Sequence, residues 1–554
     1  MGMGRSRLRA ALVVGLLALA GPALAEVTVL GAKRIHSMEA DQPPATAIAW
    51  EDGRILALGT PEELQARYPG ARLLDMGDAT VIPGLIDAHG HVASLGFEQM
   101  QARLAGASSL EEALRRLEEF ARGQPEGWVL GRGWDQNLWP GQEFPTAADL
   151  DALFPDRPVW LRRVDGHAGW ANSAAMALVE RDLSGDWQPD GGRILRDDQG
   201  RPTGIFVDAA MDLVSAAMPA GDAALSTRAL ELGMASAVEH GLTGVHDAGV
   251  SLRQLEAYRA LADAGRMPMR VYAMADGDSA ALAHLCEAGV YAHPGGRLQM
   301  RAVKLFSDGA LGSRGAALLE DYSDEHGNRG LLLLTPEKMS DVVARARDCG
   351  VQVATHAIGD RGNRLVLDTY EAALGPDGAA LRWRIEHAQI LEPGDLPRLA
   401  ELGVIASMQP THATSDMPWA EDRIGPERVL GAYAWRRLRD SGARLALGSD
   451  FPVESVDPRL GLYSAVTRTD REGLPEGGWH PQEKLTAFEA LRGFTLDAAW
   501  AGFAEDEVGS LGPGKRADFV VLAEDPLAID GDGLDELTVL STWVDGEAVY
   551  RRGE

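Results

Sequence analysis

The stretch VIPGLIDAHGH, residues 81–91, decides the fold. A continuous apolar run of this length reads as a strand buried on both faces, and it ends in two histidines, His89 and His91. Side chains on an extended chain alternate, so His-x-His sends both imidazoles to one side. Four later runs repeat the design: AVKLFSDG (302–309) carries Lys304, VQVATHAIGD (351–360) His356, WRIEHAQ (383–389) His387, and RLALGSD (444–450) Asp450. The carboxyl ends of parallel strands face one crevice, so residues scattered from 89 to 450 can meet around a metal.

Three more runs, LTGVHDAG (242–249), MRVYAMA (269–275) and VIASMQP (404–410), bring the strands to eight, most of them separated by helix-like segments such as 251–265, 336–350, 360–374 and 393–403. Repeated strand and helix alternation predicts an α/β chain, a (β/α)8 TIM-type barrel over 84–503, with the site residues on its first, fourth, fifth, sixth and eighth strands. The gap between the first two strands is too long for a crossover and predicts an inserted α/β subdomain over 92–240. Within it, Ser109 and Glu112 predict a capping box opening a helix. Alternating runs at 27–35, 47–59 and 71–78 match runs at 517–525 and 537–553, with hairpin signals at Asp52-Gly53 and Asp545-Gly546. They predict one small β-sandwich built from both termini, 26–83 and 504–554.

Arg5, Arg7 and Arg9 precede an apolar stretch from Ala10 to Ala20 and then Ala23-Leu24-Ala25. This is the pattern of a secretory signal peptide over 1–25, cleaved near Glu26, and it places the mature chain in a periplasm or outside the cell. A retained anchor is the other reading, although the apolar stretch is about half of a membrane span. A net charge of -29 argues against nucleic acid as a partner. The remaining partner is a small-molecule substrate, with no stable membrane span after cleavage and with room for a homo-oligomer. Cys286 and Cys349 show no CxxC spacing; their pairing stays open in the sequence, and the reading favoured is separate buried thiols.

Imidazoles suit zinc or a similar divalent ion. Lys304 needs its own argument, because an ammonium cannot ligate a cation. Desolvation and nearby positive charge lower a lysine pKa, and the neutral amine can add carbon dioxide to give a carbamate that bridges two ions. The alternative is an unmodified Lys304 paired with Asp308 or substrate beside one metal. Asp450 is the candidate proton shuttle: it can take the proton of the attacking water and return it to the departing nitrogen. Candidates for substrate contact are Trp134, Asp135 and His167 in the insertion, His246 at the second strand, Asp308, Ser313 and Arg314 on the Gly-rich loop after the fourth, and Gln409 after the seventh.

The motifs GRGWDQNLWP (131–140), DGHAGWANSAAM (165–176), VKLFSDGALGSRGAAL (303–318), THAIGD (355–360), RIEHAQ (384–389), GSDFPVES (448–455) and GSLGPGKRADFVVL (509–522) resemble the amidohydrolase superfamily, in particular its amidohydrolase 3 branch related to N-substituted formamide deformylases. The resemblance implies a metal-dependent hydrolase acting on carbon–nitrogen bonds other than peptide bonds, and supports two divalent ions with a carboxylated Lys304. The reaction expected is hydrolysis of a small amide or N-substituted formamide by attack of metal-bound hydroxide. Alternatives are a metallodipeptidase, an N-acyl amino acid deacylase, a cyclic amidase, or a metal-stabilised binding or regulatory protein without activity.

Overall fold

The structure is a computed structural model that describes residues 26–553 other than 41–42, 125, 164–167, 190–191, 219–222, 278, 313 and 376–377. The signal-peptide segment, His167 and Ser313 lie outside the described residues. Eight parallel strands form a nearly closed barrel: β1 Leu85–Gly90, β2 Leu242–Val250, β3 Arg270–Asp276, β4 Leu298–Phe306, β5 Gln352–Ala357, β6 Arg384–His387, β7 Ile405–Met408 and β8 Leu445–Leu447. They pair in chain order from β1 to β8. All eight were legible as apolar runs, because each is covered by helices outside and side chains within.

The deciding stretch serves two sheets. Thr80–Pro83 runs antiparallel to Phe519–Leu522 in the terminal sheet, and β1 begins only at Leu85. Gly84 makes the crossing, since a Cβ there would sit 2.1 Å from the Thr243 hydroxyl. Both chain ends contribute, as the expected assembly of the termini requires, and their strands are hydrogen-bonded into one eight-stranded mixed sheet. The reason lies in Thr28–Ile35, whose register shifts after Gly31: its first half pairs with Arg72–Asp75 and its second with Thr80–Pro83. The sheet therefore stays continuous while bending around Trp50, Phe519 and Trp543, with Trp50 5.4 Å from Phe519 and 5.8 Å from Trp543. Asp52-Gly53 and Asp545-Gly546 do turn hairpins, all four with positive φ. Asp545 reaches Arg270 (2.6 Å) and Arg297 (2.9 Å) at the amino end of the barrel strands.

The insertion carries its own six-stranded mixed sheet spanning residues 102–208. Ser109 caps the helix Leu110–Arg122 by accepting from the Glu112 amide at 3.1 Å. The reciprocal half differs from the predicted box: the Glu112 carboxylate accepts from the backbone and hydroxyl of Ser108, one residue earlier. Cys286 and Cys349, expected as separate thiols, form a disulfide joining the helices around Ser279–Ala288 and Pro336–Asp348. Sequence could not show it, because the packing of those two helices against each other sets the pairing. No helix among the described residues is long and apolar enough to cross a membrane.

Candidate metal centre

The site is built on the seam where the barrel closes. β8 has no regular ladder with β1; instead the Asp450 amide donates to the His89 carbonyl (2.7 Å) and the His91 amide to the Phe451 carbonyl (2.8 Å). Asp87 ties the same edge. Its carboxylate accepts from the His89 amide at 2.9 Å and from the Ser449 hydroxyl at 2.6 Å. Burial pushes this carboxyl up to about 7, against those hydrogen bonds. The approach is close enough to demand glycine at 448, where a Cβ would lie 2.5 Å from Asp87 Oδ1 and 2.6 Å from the His89 nitrogen.

His89 and His91 leave β1 with their Nε2 atoms 3.5 and 3.1 Å from Asp450 Oδ1. Each ring is aimed from behind: His89 Nδ1 donates to Glu386 at 2.5 Å, and His91 Nδ1 to the Ala248 carbonyl at 2.8 Å. His387 Nδ1 likewise donates to Gln409 Oε1 at 2.7 Å, which leaves Nε2 to face the site. The His356 and His387 rings lie 4.6 Å apart, and His89 and His387 4.9 Å. Lys304, fully buried on β4, puts Nζ 3.0 Å from His89 Nε2. All six residues singled out in the sequence therefore share one pocket at the carboxyl ends of the strands.

His412, on the helix Pro410–Asp416 after β7, joins them unannounced. Its Nε2 is 3.7 Å from Asp450 Oδ2 and its ring stacks on His387 at 5.7 Å. The same strand-end reasoning could have reached it, since it follows Gln409 by three residues. Glu386 was missed for a different reason: on a regular strand it and His387 would face opposite ways. His387 has a φ of 72° and Ala388 one of 43°, so the chain leaves the pleat there and both side chains turn inward. Asp450 is also left-handed, with φ 63°.

Burial dominates the electrostatics of the site. Burial, followed by the nearby Lys304, lowers His89 to about 4 and His356 to about 3. Burial and the neighbouring histidines hold His387 well below the usual imidazole range. Burial brings Lys304 down to about 8, although Glu386 and Asp450 pull the other way. Burial opposes ionisation of Asp450 too, but the adjacent His91 and the other surrounding histidines outweigh it and hold the carboxyl below its usual range. Beneath the site, Arg384 neutralises Glu386, with Nε 2.8 Å from Oε1, and donates to the Ala88 carbonyl at 2.6 Å and the Ser407 hydroxyl at 2.7 Å.

A metal fits this donor set on the evidence of its unsatisfied atoms. His356 Nε2, His412 Nε2 and Asp450 Oδ1 are buried without a hydrogen-bond partner, an expensive arrangement for polar atoms unless a ligand completes it. Two triads, His89–His91–Asp450 and His387–His412–Asp450, each bring their ligand atoms within 4.8 Å of one another.

Several residues expected at the substrate lie elsewhere. Trp134 is fully buried in the aromatic core of the insertion, 6.0 Å from Trp170, with its indole donating to the Leu161 carbonyl. Asp135 pairs with Arg163 at 2.6 Å. His246 sits inside the barrel below the ligands, where its Nδ1 accepts from Arg384 at 2.7 Å. Asp308 is an anchor for the loops, accepting from the amides of Ala317, Ile358 and Gly359. Arg314 is turned onto Asp324 at 2.8 Å, and Gln409 is occupied by His387. In each case the residue type suggested recognition, and a local partner has claimed the polar group.

Comparison with known proteins agrees with this geometry. The model of the amidohydrolase family matches residues 72–550. The chain is 34% identical over 530 residues to YtcJ of Bacillus subtilis (strain 168), covering 94% of this chain and 98% of that protein. It is 34% identical over 540 residues to the N-substituted formamide deformylase of Arthrobacter pascens, covering 94% and 97%. The crystal structure of an uncharacterized metal-dependent hydrolase from Pyrococcus horikoshii OT3 superposes with a TM-score of 0.76 at 28% identity, covering 91% of this chain and 99% of that one. With a metal-competent cluster at the mouth of the barrel and a family match over most of its length, the chain belongs to the amidohydrolase family.

Proposed function

We propose that this chain hydrolyses a non-peptide carbon–nitrogen bond in a small amide or N-substituted formamide. The observation that carries the reading is the convergence of His89, His91, His356, His387, His412 and Asp450 with buried donor atoms left unsatisfied. His89, His91 and Asp450 would hold one divalent ion, zinc by the chemistry of the donors, and His356 and His387 a second. Bound there, such ions supply Lewis acidity toward the scissile carbonyl and bring the pKa of water toward neutrality. Lys304 would join them as a carbamate: its neutral amine adds carbon dioxide, forming an N–C bond and releasing one proton. The barrel interior favours that outcome, since burial already disfavours the ammonium.

Asp450 takes the proton of the attacking water on a carboxylate oxygen and delivers it to the departing nitrogen. Its depressed pKa keeps it ionised at the start of the cycle. Glu386, Gln409 and the Ala248 carbonyl fix the tautomers of His89, His387 and His91, each holding the Nδ1 proton so that Nε2 offers a lone pair. The named activity of the Arthrobacter pascens relative favours formamides among the amides. Purified protein loaded with zinc and assayed against formamides, N-acyl amino acids, dipeptides and cyclic amides tests the assignment. Turnover of formamides or simple amides first is the expected result, and exclusive turnover of dipeptides or N-acyl amino acids would replace it.

Export belongs to the same proposal. The pattern from Arg5 to Ala25 supports a cleaved signal, and the Cys286–Cys349 disulfide is a crosslink that persists in oxidising compartments. N-terminal sequencing of the mature protein should begin near Glu26, and an intact Met1 or Gly2 would refute cleavage.

A further inference from the structure

We propose that the substrate pocket is a charge filter: Asp416 and Glu454 admit amides whose substituent is neutral or cationic and turn away those whose substituent carries a carboxylate. The inference rests on the hydrolase reading of the metal centre and adds the class of molecule it serves. The cavity over the metal ligands has a volume of about 420 Å³. Its walls are apolar, formed by Phe306, Leu311, Ile358, Trp419 and Val453. Phe306 is 40% and Val453 71% exposed, so both hold apolar surface open at the mouth, where a substituent can cover it.

Two acids interrupt this surface. Asp416 is fixed by the Tyr433 hydroxyl at 2.6 Å and the Gln389 amide at 2.9 Å, and Glu454 faces the same cavity on the loop after β8. Trp419 lines the same cavity, 3.2 Å from where a Gly312 Cβ would stand, with the Arg423 guanidinium 5.6 Å from the centre of its ring. Carboxylates set in an apolar wall suit an ammonium through charge.

The basic groups that could recognise an anion are spoken for. Arg314 and Arg423, which flank the loops of the mouth, both turn onto Asp324. Among the described residues that line the cavity, the only Lys or Arg is Lys304, and it lies at the metal end against His89. An anionic substituent would therefore meet two like charges in a partly desolvated cavity with no guanidinium to receive it, and like-charge juxtaposition is an effective means of exclusion. Dipeptides and N-acyl amino acids leave a carboxylate one carbon from the scissile nitrogen, which places them on the rejected side.

The test uses three N-formyl benzylamines of nearly equal size with a para hydrogen, aminomethyl or carboxylate group, on the zinc-loaded protein. Expected kcat/KM is at least tenfold higher for the aminomethyl than for the carboxylate compound, with the neutral one between or level with the cation. The gap should narrow in 0.5 M salt, an approximate condition chosen to shorten the screening length well below 8 Å. Glu454→Gln should shrink it by several-fold through the carboxylate compound gaining. Binding of the same three compounds to zinc-loaded Asp450→Asn, measured by calorimetry, keeps the question separate from turnover. If none is hydrolysed while the cation still binds best, the formamide reading fails and the filter stands. Equal binding of cation and anion, no binding of any, or a gap that Glu454→Gln leaves unchanged would overturn the filter.

Discussion

Glu386 offers the sharpest test of how the metal centre is held. Its carboxylate is fully buried, accepts the Nδ1 proton of His89 at 2.5 Å and lies 2.8 Å from Arg384 Nε. Glu386→Gln keeps an oxygen for the His89 proton but removes the charge that makes His89 a stronger donor to metal. Loss of such a supporting carboxylate costs roughly 10–100-fold in metal affinity, which is about 1.4–2.8 kcal/mol at about 1.4 kcal/mol per tenfold. A second cost falls on the fold, because Arg384 is left charged inside the barrel. Breaking a buried pair from one side costs about 3–5 kcal/mol, and the hydrogen bonds of Arg384 to Ala88, Ser407 and His246 should hold this to the lower end. The two costs separate experimentally. Zinc affinity is measured by competition with a chelating dye on protein shown to be folded by near-UV circular dichroism, and stability by denaturant unfolding of the metal-free form. The expected variant folds, melts lower and binds zinc at least tenfold more weakly. A folded variant with wild-type zinc affinity would refute the claim that Glu386 acts through His89.

Lys304→Ala should lose metal as well as activity, with partial recovery in small carboxylates that fit the vacated space; two ions per chain by elemental analysis together with near-normal turnover would count against a bridging lysine. Asp450→Asn should retain more metal than Lys304→Ala while its turnover falls by roughly 10²–10⁴-fold, read as a kcat effect under saturating zinc. Gly448→Ala would place a Cβ 2.5 Å from Asp87 Oδ1, so β8 must move off β1 and Asp450 with it; activity and metal content should fall together, and wild-type values for both would contradict the account of the seam. At Asp545, burial opposes ionisation, but Arg270 and Arg297 outweigh it and hold the carboxyl below its usual range. A depressed folded-state pKa adds stability that is present above the unfolded value of about 3.9 and is lost as pH falls through the folded one. Asp545→Asn keeps a residue that tolerates the turn's φ of 52°, and should cost roughly 1.5–3 kcal/mol at pH 7; in denaturant titrations that deficit should shrink as pH falls below about 3.9 and vanish only below the folded-state pKa, and a deficit independent of pH would remove the charge from the explanation.

The barrel was readable because its signal is carried by each strand separately. VQVATH or RLALGSD declares itself buried without reference to any other part of the chain, and the chemistry sits where the apolar run stops. What depends on a partner was not readable. Cys286 and Cys349 are 63 residues apart, and only the packing of their helices brings them together. Trp134, Asp308 and Arg314 have the side chains that recognise ligands, yet an aromatic cluster, three backbone amides and Asp324 had already taken them. Glu386 was hidden by a rule that is sound for strands and fails where His387 turns left-handed. The terminal sheet was legible as hairpins, but its continuity was set by a register shift in one strand.

Three left-handed residues and the irregular seam fall at the carboxyl end of the barrel. His387, Ala388 and Asp450 all adopt left-handed backbone, and β8 meets β1 through two amide-to-carbonyl bonds and the Asp87–Ser449 contact instead of a ladder. Conformations of that kind cost of order 1–3 kcal/mol each and persist only where the surroundings over-determine them. Here the surroundings are Glu386 behind His89, Gln409 behind His387 and the Asp87 carboxylate under the seam. A regular eighth ladder would continue the pleat through Asp450, and the pleat alternates side chains between barrel and helices. Leaving the seam irregular is what lets a strand-end aspartate turn toward His89, His91 and His412 at once, so the weakest pairing in the barrel and its chemistry have a common cause.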